Sequence, residues 1–120
     1  MKGYVDENRR ALMNVAIRSN LKSDAVTFDA WIDTAFDGHF VFSMKLIDEL
    51  GLETLVETDA ILADGTKVTL ETFVAYMQWF GKVIPVQVVA NEGQIPLLGT
   101  ALLDERQLQI DYRNRTIELS

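Results

Sequence analysis

An aspartate set between two apolar strands is the residue in this sequence best placed for acid–base chemistry. Val26, Phe28, Ala30 and Ile32 alternate with Thr27, Asp29 and Trp31, so this run reads as a half-buried strand that delivers Asp33 to its end. Thr34-Ala35-Phe36-Asp37-Gly38 then turn the chain, and His39-Phe40-Val41-Phe42 leave in a second apolar strand. A carboxylate in such surroundings costs free energy unless it is paired, hydrogen-bonded or protonated. One use of Asp33 is local, as a turn acid that caps its own backbone. The other is chemical. Two carboxylates a few ångströms apart can share one proton, the ionised one taking a proton from water while the protonated one polarises a peptide carbonyl.

Competing chemistries find little support. The sequence has no cysteine and a single histidine, His39, which removes a Cys–His dyad and a transition-metal site. Asp29, Asp33 and Asp37 are spaced by four, which would gather them on a helix, but this segment reads as strand, turn and strand, where that spacing does not converge. Ala63-Asp64-Gly65-Thr66 matches half of a phosphotransfer loop, with Leu62 standing where the nucleophilic Asp belongs. Asn114-Arg115-Thr116 fits a glycosylation sequon and reads as a turn. No metal and no cofactor is expected.

The elements that position Asp33 follow from patterning. Gly3-Tyr4-Val5 and residues 10–18 form a hairpin, with Met13, Val15 and Ile17 in the buried phase. Ser43 caps a helix that runs through Leu50, with Leu46, Ile47 and Leu50 on one face and Gly51 as its stop. Residues 54–63 pair with 66–80 across Asp64-Gly65, a dipeptide that favours a type I′ turn. A phase change suggests a bulge or bend near Glu71-Thr72, and Gly81-Lys82 turn the chain into Val83–Val89, where Pro85 asks for an edge or a bulge. Leu97-Leu98-Gly99 is a short buried strand, Thr100–Glu105 at most one helical turn, and Leu108, Ile110, Ile117 and Leu119 mark a final hairpin. The fold class is all-β, a closed barrel of short strands with one short helix.

Bulk composition narrows the partners. A chain of 120 residues with 48% hydrophobic content is read as one domain, 1–120, with a real core. The net charge of −7 repels phosphate backbones and anionic surfaces, so neither nucleic acid nor membrane is expected as a partner. No apolar run reaches the roughly 20 residues of a membrane span. The first residues, with Asp6, Glu7, Arg9 and Arg10, lack the apolar core of a signal peptide, and the expected location is the cytoplasm.

Ile32-Asp33-Thr34-Ala35 and the later Pro96-Leu97-Leu98-Gly99-Thr100 resemble, in order and spacing, the two signatures of the aspartic peptidases. With one such Asp in a chain of this length, the sequence is similar to the retropepsin-like branch, and within it to the small prokaryotic members. The resemblance implies an aspartic endopeptidase, active as a homodimer, because the second carboxylate must come from Asp33 of another copy. It implies that Asp33, Thr34 and Ala35 form the catalytic loop, with the Thr34 hydroxyl bonded to the opposing loop. Phe36 and the tip of a lid-like hairpin, Asp64 and Gly65, would meet a peptide substrate, while Leu97, Leu98 and Gly99 pack behind the loop. Ala35 stands where the family usually has Gly. Trp31, Phe36, Ile61, Leu62, Val83 and Ile84 are candidates for apolar subsites. The alternative is the same fold as an inactive module that grips an extended peptide or a second copy without cutting it.

Overall fold

The computed structural model describes residues 1–61 and 63–120, without the side chains of 56–60 and 68–70. Leu62 and the side-chain phase of Val68 and Leu70 therefore lie outside the described residues. Ten strands follow one another as β1 (Lys2–Val5), β2 (Ala11–Arg18), β3 (Val26–Ile32), β4 (Phe40–Ser43), β5 (Glu53–Ile61), β6 (Lys67–Trp79), β7 (Lys82–Asn91), β8 (Leu97–Leu98), β9 (Leu108–Asp111) and β10 (Thr116–Leu119). A single helix, α1 (Met44–Leu50), and one 3-10 turn, Thr100–Leu102, complete the described elements.

The strands hydrogen-bond in the order β5-β6-β7-β4-β8-β3-β2-β1-β10-β9, and a further pairing of Ile17 with Met77 and Arg18 with Tyr76 joins β2 to β6. That contact makes a closed ring of β6, β7, β4, β8, β3 and β2, leaving β5 and β9 as the edges. Inside the ring lies the core, where Met13, Val15 and Ile17 of β2 meet Phe40 and Phe42 of β4, Phe73, Ala75 and Met77 of β6, and Val86 and Val88 of β7. Period-two alternation produces this, since every second side chain of a strand points to the same face. Helix α1 packs Ile47 into the core, its first turn capped by Ser43 Oγ accepting from the Leu46 N–H at 3.1 Å. Gly51 ends it at φ 69°, a left-handed conformation that glycine adopts without strain.

Three local expectations need correction. The hairpin β5–β6 closes with Ile61 opposite Lys67, and only Gly65 of the Asp64-Gly65 pair has positive φ, so the turn there is not type I′. Asp64 instead turns the backbone with its side chain, Oδ1 accepting from the Thr66 N–H at 2.9 Å, and hydrogen bonds from the Thr66 hydroxyl and then from its N–H hold the carboxyl below its usual range. The turn with two left-handed residues is Phe80-Gly81, at φ 50° and 82°, between Trp79 and Lys82. Tertiary contacts hold the bulky residue there: the Phe80 ring meets Trp79 edge-on at 5.1 Å and lies under the Arg106 guanidinium at 3.6 Å. The third correction concerns the bulge, which falls on β5 rather than β6. Leu55 is the extra residue, opposite the step from Thr72 to Phe73.

Candidate active site

Asp33 leaves β3 at the point where the chain is crossed by β8. The pair β3–β8 is parallel, with Trp31 opposite Leu97 and Ile32 opposite Leu98, whereas β4–β8 is antiparallel, with Phe40 opposite Leu98. Leu97-Leu98 therefore fills the gap between the strand that enters the Asp33 loop and the strand that leaves it. A run of backbone bonds follows from that position. Trp31 N–H donates to Pro96 O at 2.8 Å, Asp33 N–H to Leu98 O at 2.9 Å, Gly99 N–H to His39 O at 2.8 Å and Thr100 N–H to Phe36 O at 2.8 Å. Ala101 N–H reaches Gly38 O at 3.2 Å, and the Thr100 hydroxyl donates to Phe36 O at the same distance. Asp33, Phe36, Gly38 and His39 of the loop between β3 and β4 thus each have a main-chain partner on residues 98–101.

This clamp explains why residue 99 is glycine. A methyl at that position would strike Gly38 O, and it would come within 2.5 Å of the Phe36 ring and 2.8 Å of Phe36 O. The φ of −96° at Gly99 is open to any residue, so the requirement is space and not conformation. Leu98 is wholly buried and Leu97 half-buried behind the loop.

Within the loop, Asp33 is half-buried, and Thr34 and Ala35 are exposed at its apex. Asp33 Oδ1 accepts from the Ala35 N–H at 2.9 Å, the geometry of a turn acid, and the other carboxylate oxygen has no hydrogen-bond partner among the described residues. Ala35 is not among the residues with positive φ, so the backbone accommodates its methyl without left-handed strain. Phe36 turns its ring back against Gly38 and Gly99, under the loop. An open depression of about 350 Å³ beside the carboxylate is lined by Trp31, Ile32, Asp33, Thr34 and Leu97. Larger depressions, about 540 Å³ along Ser43–Lys45 and Asn91–Gln94 and about 520 Å³ along Thr100–Glu105, do not include Asp33, so chemistry and not size marks the site.

His39 stands beside this arrangement without reaching the carboxylate. Its Nδ1 accepts from the Gln87 N–H at 2.9 Å, which ties the start of β4 to β7, and burial pushes the imidazole below its ordinary pKa. Asp29 is held at the surface by Tyr4 Oη at 2.6 Å and Asn14 Nδ2 at 3.2 Å, away from any convergence with Asp33.

In comparison with solved structures, the chain is similar to a retropepsin-like aspartic protease from Rickettsia conorii, with a TM-score of 0.68 and 16% identity over 99% of this chain and 88% of that one. It is also similar to EIAV protease complexed with the inhibitor HBY-793, at a TM-score of 0.56 and 16% identity, covering 83% of this chain and 90% of that one. The fold is retropepsin-like. The retroviral protease-like domain of Ddi1 from Leishmania major matches more loosely, at a TM-score of 0.50 and 13% identity over 91% of this chain and 88% of that chain. No protein-family model matches the chain, and neither does any curated protein.

In this retropepsin-like frame the residues of both signatures meet at one place: Asp33, Thr34 and Ala35 at the loop, with Leu97, Leu98 and Gly99 beneath it. Asp64 and Gly65 lie at the far end of the β5–β6 hairpin, both exposed, next to an Ile61 that is 72% exposed. Sequence reasoning assigned no role to two neighbours of the loop, although Thr100 closes the second signature. Thr100 clamps the loop through both its backbone and its hydroxyl, and its place directly after Gly99 was the available signal. Arg10, whose guanidinium lies 6.0 Å from the centre of the Trp31 ring, could not have been found, because the contact joins the residue just before β2 to β3 through tertiary packing.

Proposed function

We propose that the chain is an aspartic endopeptidase whose active site forms when two copies bring their Asp33 loops together. One observation carries this reading: Asp33 sits half-buried beside an open depression, on a loop fixed by backbone bonds from both flanks, in a retropepsin-like fold. A single carboxylate can take a proton from water but cannot also protonate the scissile carbonyl, so the second group has to come from elsewhere. A two-fold axis through the exposed Thr34-Ala35 apex would set the two Asp33 carboxylates side by side. Like charges at that range do not both ionise, and one proton is shared between them. The ionised member accepts a proton from the attacking water as the oxygen bonds to the carbonyl carbon. The protonated member donates to the carbonyl oxygen, and collapse of the tetrahedral species returns a proton to the leaving amine. The exposed end of the β5–β6 hairpin would close over the bound peptide.

The test is a comparison of wild type with Asp33→Asn on a mixed peptide pool across roughly pH 4 to 8. Cleavage by the wild type that disappears in the variant supports the reading, and identical digestion profiles reject it.

A further inference from the structure

Four of the chain's six arginines stand on two turns that lie side by side. Arg9 and Arg10 belong to the turn between β1 and β2, and Arg113 and Arg115 to the turn between β9 and β10. The turns are neighbours because β1 pairs with β10, Tyr4 opposite Thr116. One residue ties them together. Asp6 Oδ2 accepts from Arg10 Nε at 2.7 Å, and Asp6 O accepts both from the Arg9 N–H at 3.0 Å and from Arg115 Nη1 at 2.6 Å. Three arginines from opposite ends of the chain thus meet on one aspartate.

Two of these arginines occupy positions that favour glycine. Arg9 has φ 63° and Arg115 φ 57°, left-handed conformations in which a residue with a Cβ is strained. Around Arg9 the bonds are those of a hairpin turn closed by a bulge, Arg9 N–H to Asp6 O and Asp6 N–H to Arg10 O, both at 3.0 Å, and glycine is the residue such a bulge takes most easily. Packing does not call for arginine there. Arg9 is exposed, and neither its side chain nor that of Arg113 has a partner among the described residues. Strain kept at an exposed position points to a use for the side chain at the surface.

Two of the three acids on these turns are engaged by the turns themselves. Asp6 Oδ1 accepts from the Arg10 N–H at 2.8 Å and the Asn8 N–H at 3.0 Å, and Asp111 Oδ1 accepts from the Arg113 N–H at 2.9 Å and the Asn114 N–H at 3.0 Å. Glu7, exposed, is the third, set against Arg9, Arg113 and the remaining N–H groups of Arg115. In a chain of net charge −7 the two turns carry four arginines against those three acids. Their guanidinium groups lie at the surface along both turns, and Arg10 extends the row to Trp31, 6.0 Å from the centre of its ring. Planar forks that each take a carboxylate, set in a row, fit a chain of carboxylates better than one small anion.

We infer that the arginines gathered on Asp6, with Arg113 beside them, dock an acidic segment of a partner polypeptide. The docking surface stands whether or not the chain cuts peptides, so its test uses the full chain carrying Asp33→Asn, in which binding is read without cleavage. Fluorescence anisotropy compares a labelled Glu-rich peptide, its Gln counterpart and a single-stranded oligodeoxynucleotide, with inorganic phosphate as competitor. The Glu peptide is expected to bind about tenfold or more tighter than the Gln peptide, to weaken as salt is added and to resist phosphate. Arg9→Gly should weaken it about threefold, and Arg9→Gly with Arg115→Gly about tenfold. Melting temperature should stay level or rise in both, because glycine relieves the left-handed strain. Lys22→Gln removes a charge outside the two turns and should leave binding unchanged. Equal binding of the two peptides, or full binding by the double variant, overturns the inference. So does an oligonucleotide held as tightly as the Glu peptide, which marks a general polyanion surface, or displacement by phosphate, which marks a small-anion site. Arg115 also holds Asp6 O, so a double variant that melts below the wild type hands the decision to Arg9→Gly and Arg113→Gln, which keep that bond. Undiminished binding in both of those then overturns it.

Discussion

The Asp33 loop and the β5–β6 hairpin are both turns between strands, yet they are held in opposite ways. Residues 33–38 are bonded to residues 96–101 by main-chain groups on both flanks, and the loop leans on a glycine that leaves no room for a methyl. The hairpin belongs to the sheet only at its base. From Thr72 onward β6 pairs with β7 on its second side, whereas Lys67–Glu71 pair with β5 alone, and β5 is a sheet edge. On the proposed peptidase reading, the group that holds the reacting atom needs a fixed frame, and the segment that admits and encloses a peptide needs a free margin. The same sheet offers both, closing its ring through β8 at one place and leaving an edge open at another.

Substitutions can break that contrast from either side. Gly99→Ala carries the largest expected effect, because its methyl meets main-chain oxygens of Phe36 and Gly38 that cannot step aside. Destabilisation of about 3 kcal/mol in denaturant titration, with loss of peptide cleavage, is expected, and a variant of wild-type stability would mean that the clamp is looser than described.

Next in size is the response of the clamp to pH. His39 is neutral in the fold, since Nδ1 must be unprotonated to accept from Gln87, and burial lowers its pKa below 6.5. A depressed folded value means that its contribution is complete above 6.5 and declines as pH falls from there toward the folded value. As His39 is the only histidine, melting temperature should begin to fall in that window in the wild type and stay level in His39→Gln. Matching curves for the two proteins would contradict the assignment.

Ala35→Gly should cost less, about 0.5 kcal/mol, through the greater freedom of the unfolded chain, because Ala35 already sits at an ordinary φ. Its cleavage rate should match the wild type, and a clear gain in rate would show that the methyl obstructs the site. Smallest in stability is Ile61→Ser, within about 0.5 kcal/mol by denaturant titration, since the residue is 72% exposed. Its effect should fall on KM for peptides, and an unchanged KM would remove the hairpin from substrate binding.

Much of the fold could be read directly from local pattern. Met13, Val15 and Ile17 announce a strand by alternation, and Ser43 and Gly51 bracket the helix because capping chemistry is local. The hidden parts depend on contacts between distant segments. Phe80 has no intrinsic preference for a left-handed turn, and Arg106 and Trp79 hold it there. Asp64-Gly65 has the composition of a type I′ turn, yet the connection runs longer and Asp64 spends its side chain on Thr66 instead. The β5 bulge was placed on the wrong strand because a phase break in one strand looks the same whichever partner carries the extra residue. At the site, Asp33 and Leu97-Leu98-Gly99 were legible by type and spacing, while the Arg10 contact and the inward turn of Phe36 were not, since both depend on how strands pack.

The proposed dyad can be tested by covalent capture, because the chain has no cysteine of its own. In Asp33→Cys, two loops that meet at a two-fold axis would bring the new thiols to Cα separations below about 7 Å, within reach of a disulfide. Mild oxidation of that variant should give a covalent dimer in high yield, while Leu21→Cys, exposed in a loop outside the site, should not. An Asp33→Cys protein that stays monomeric on oxidation, while remaining folded, would contradict the shared carboxylate pair.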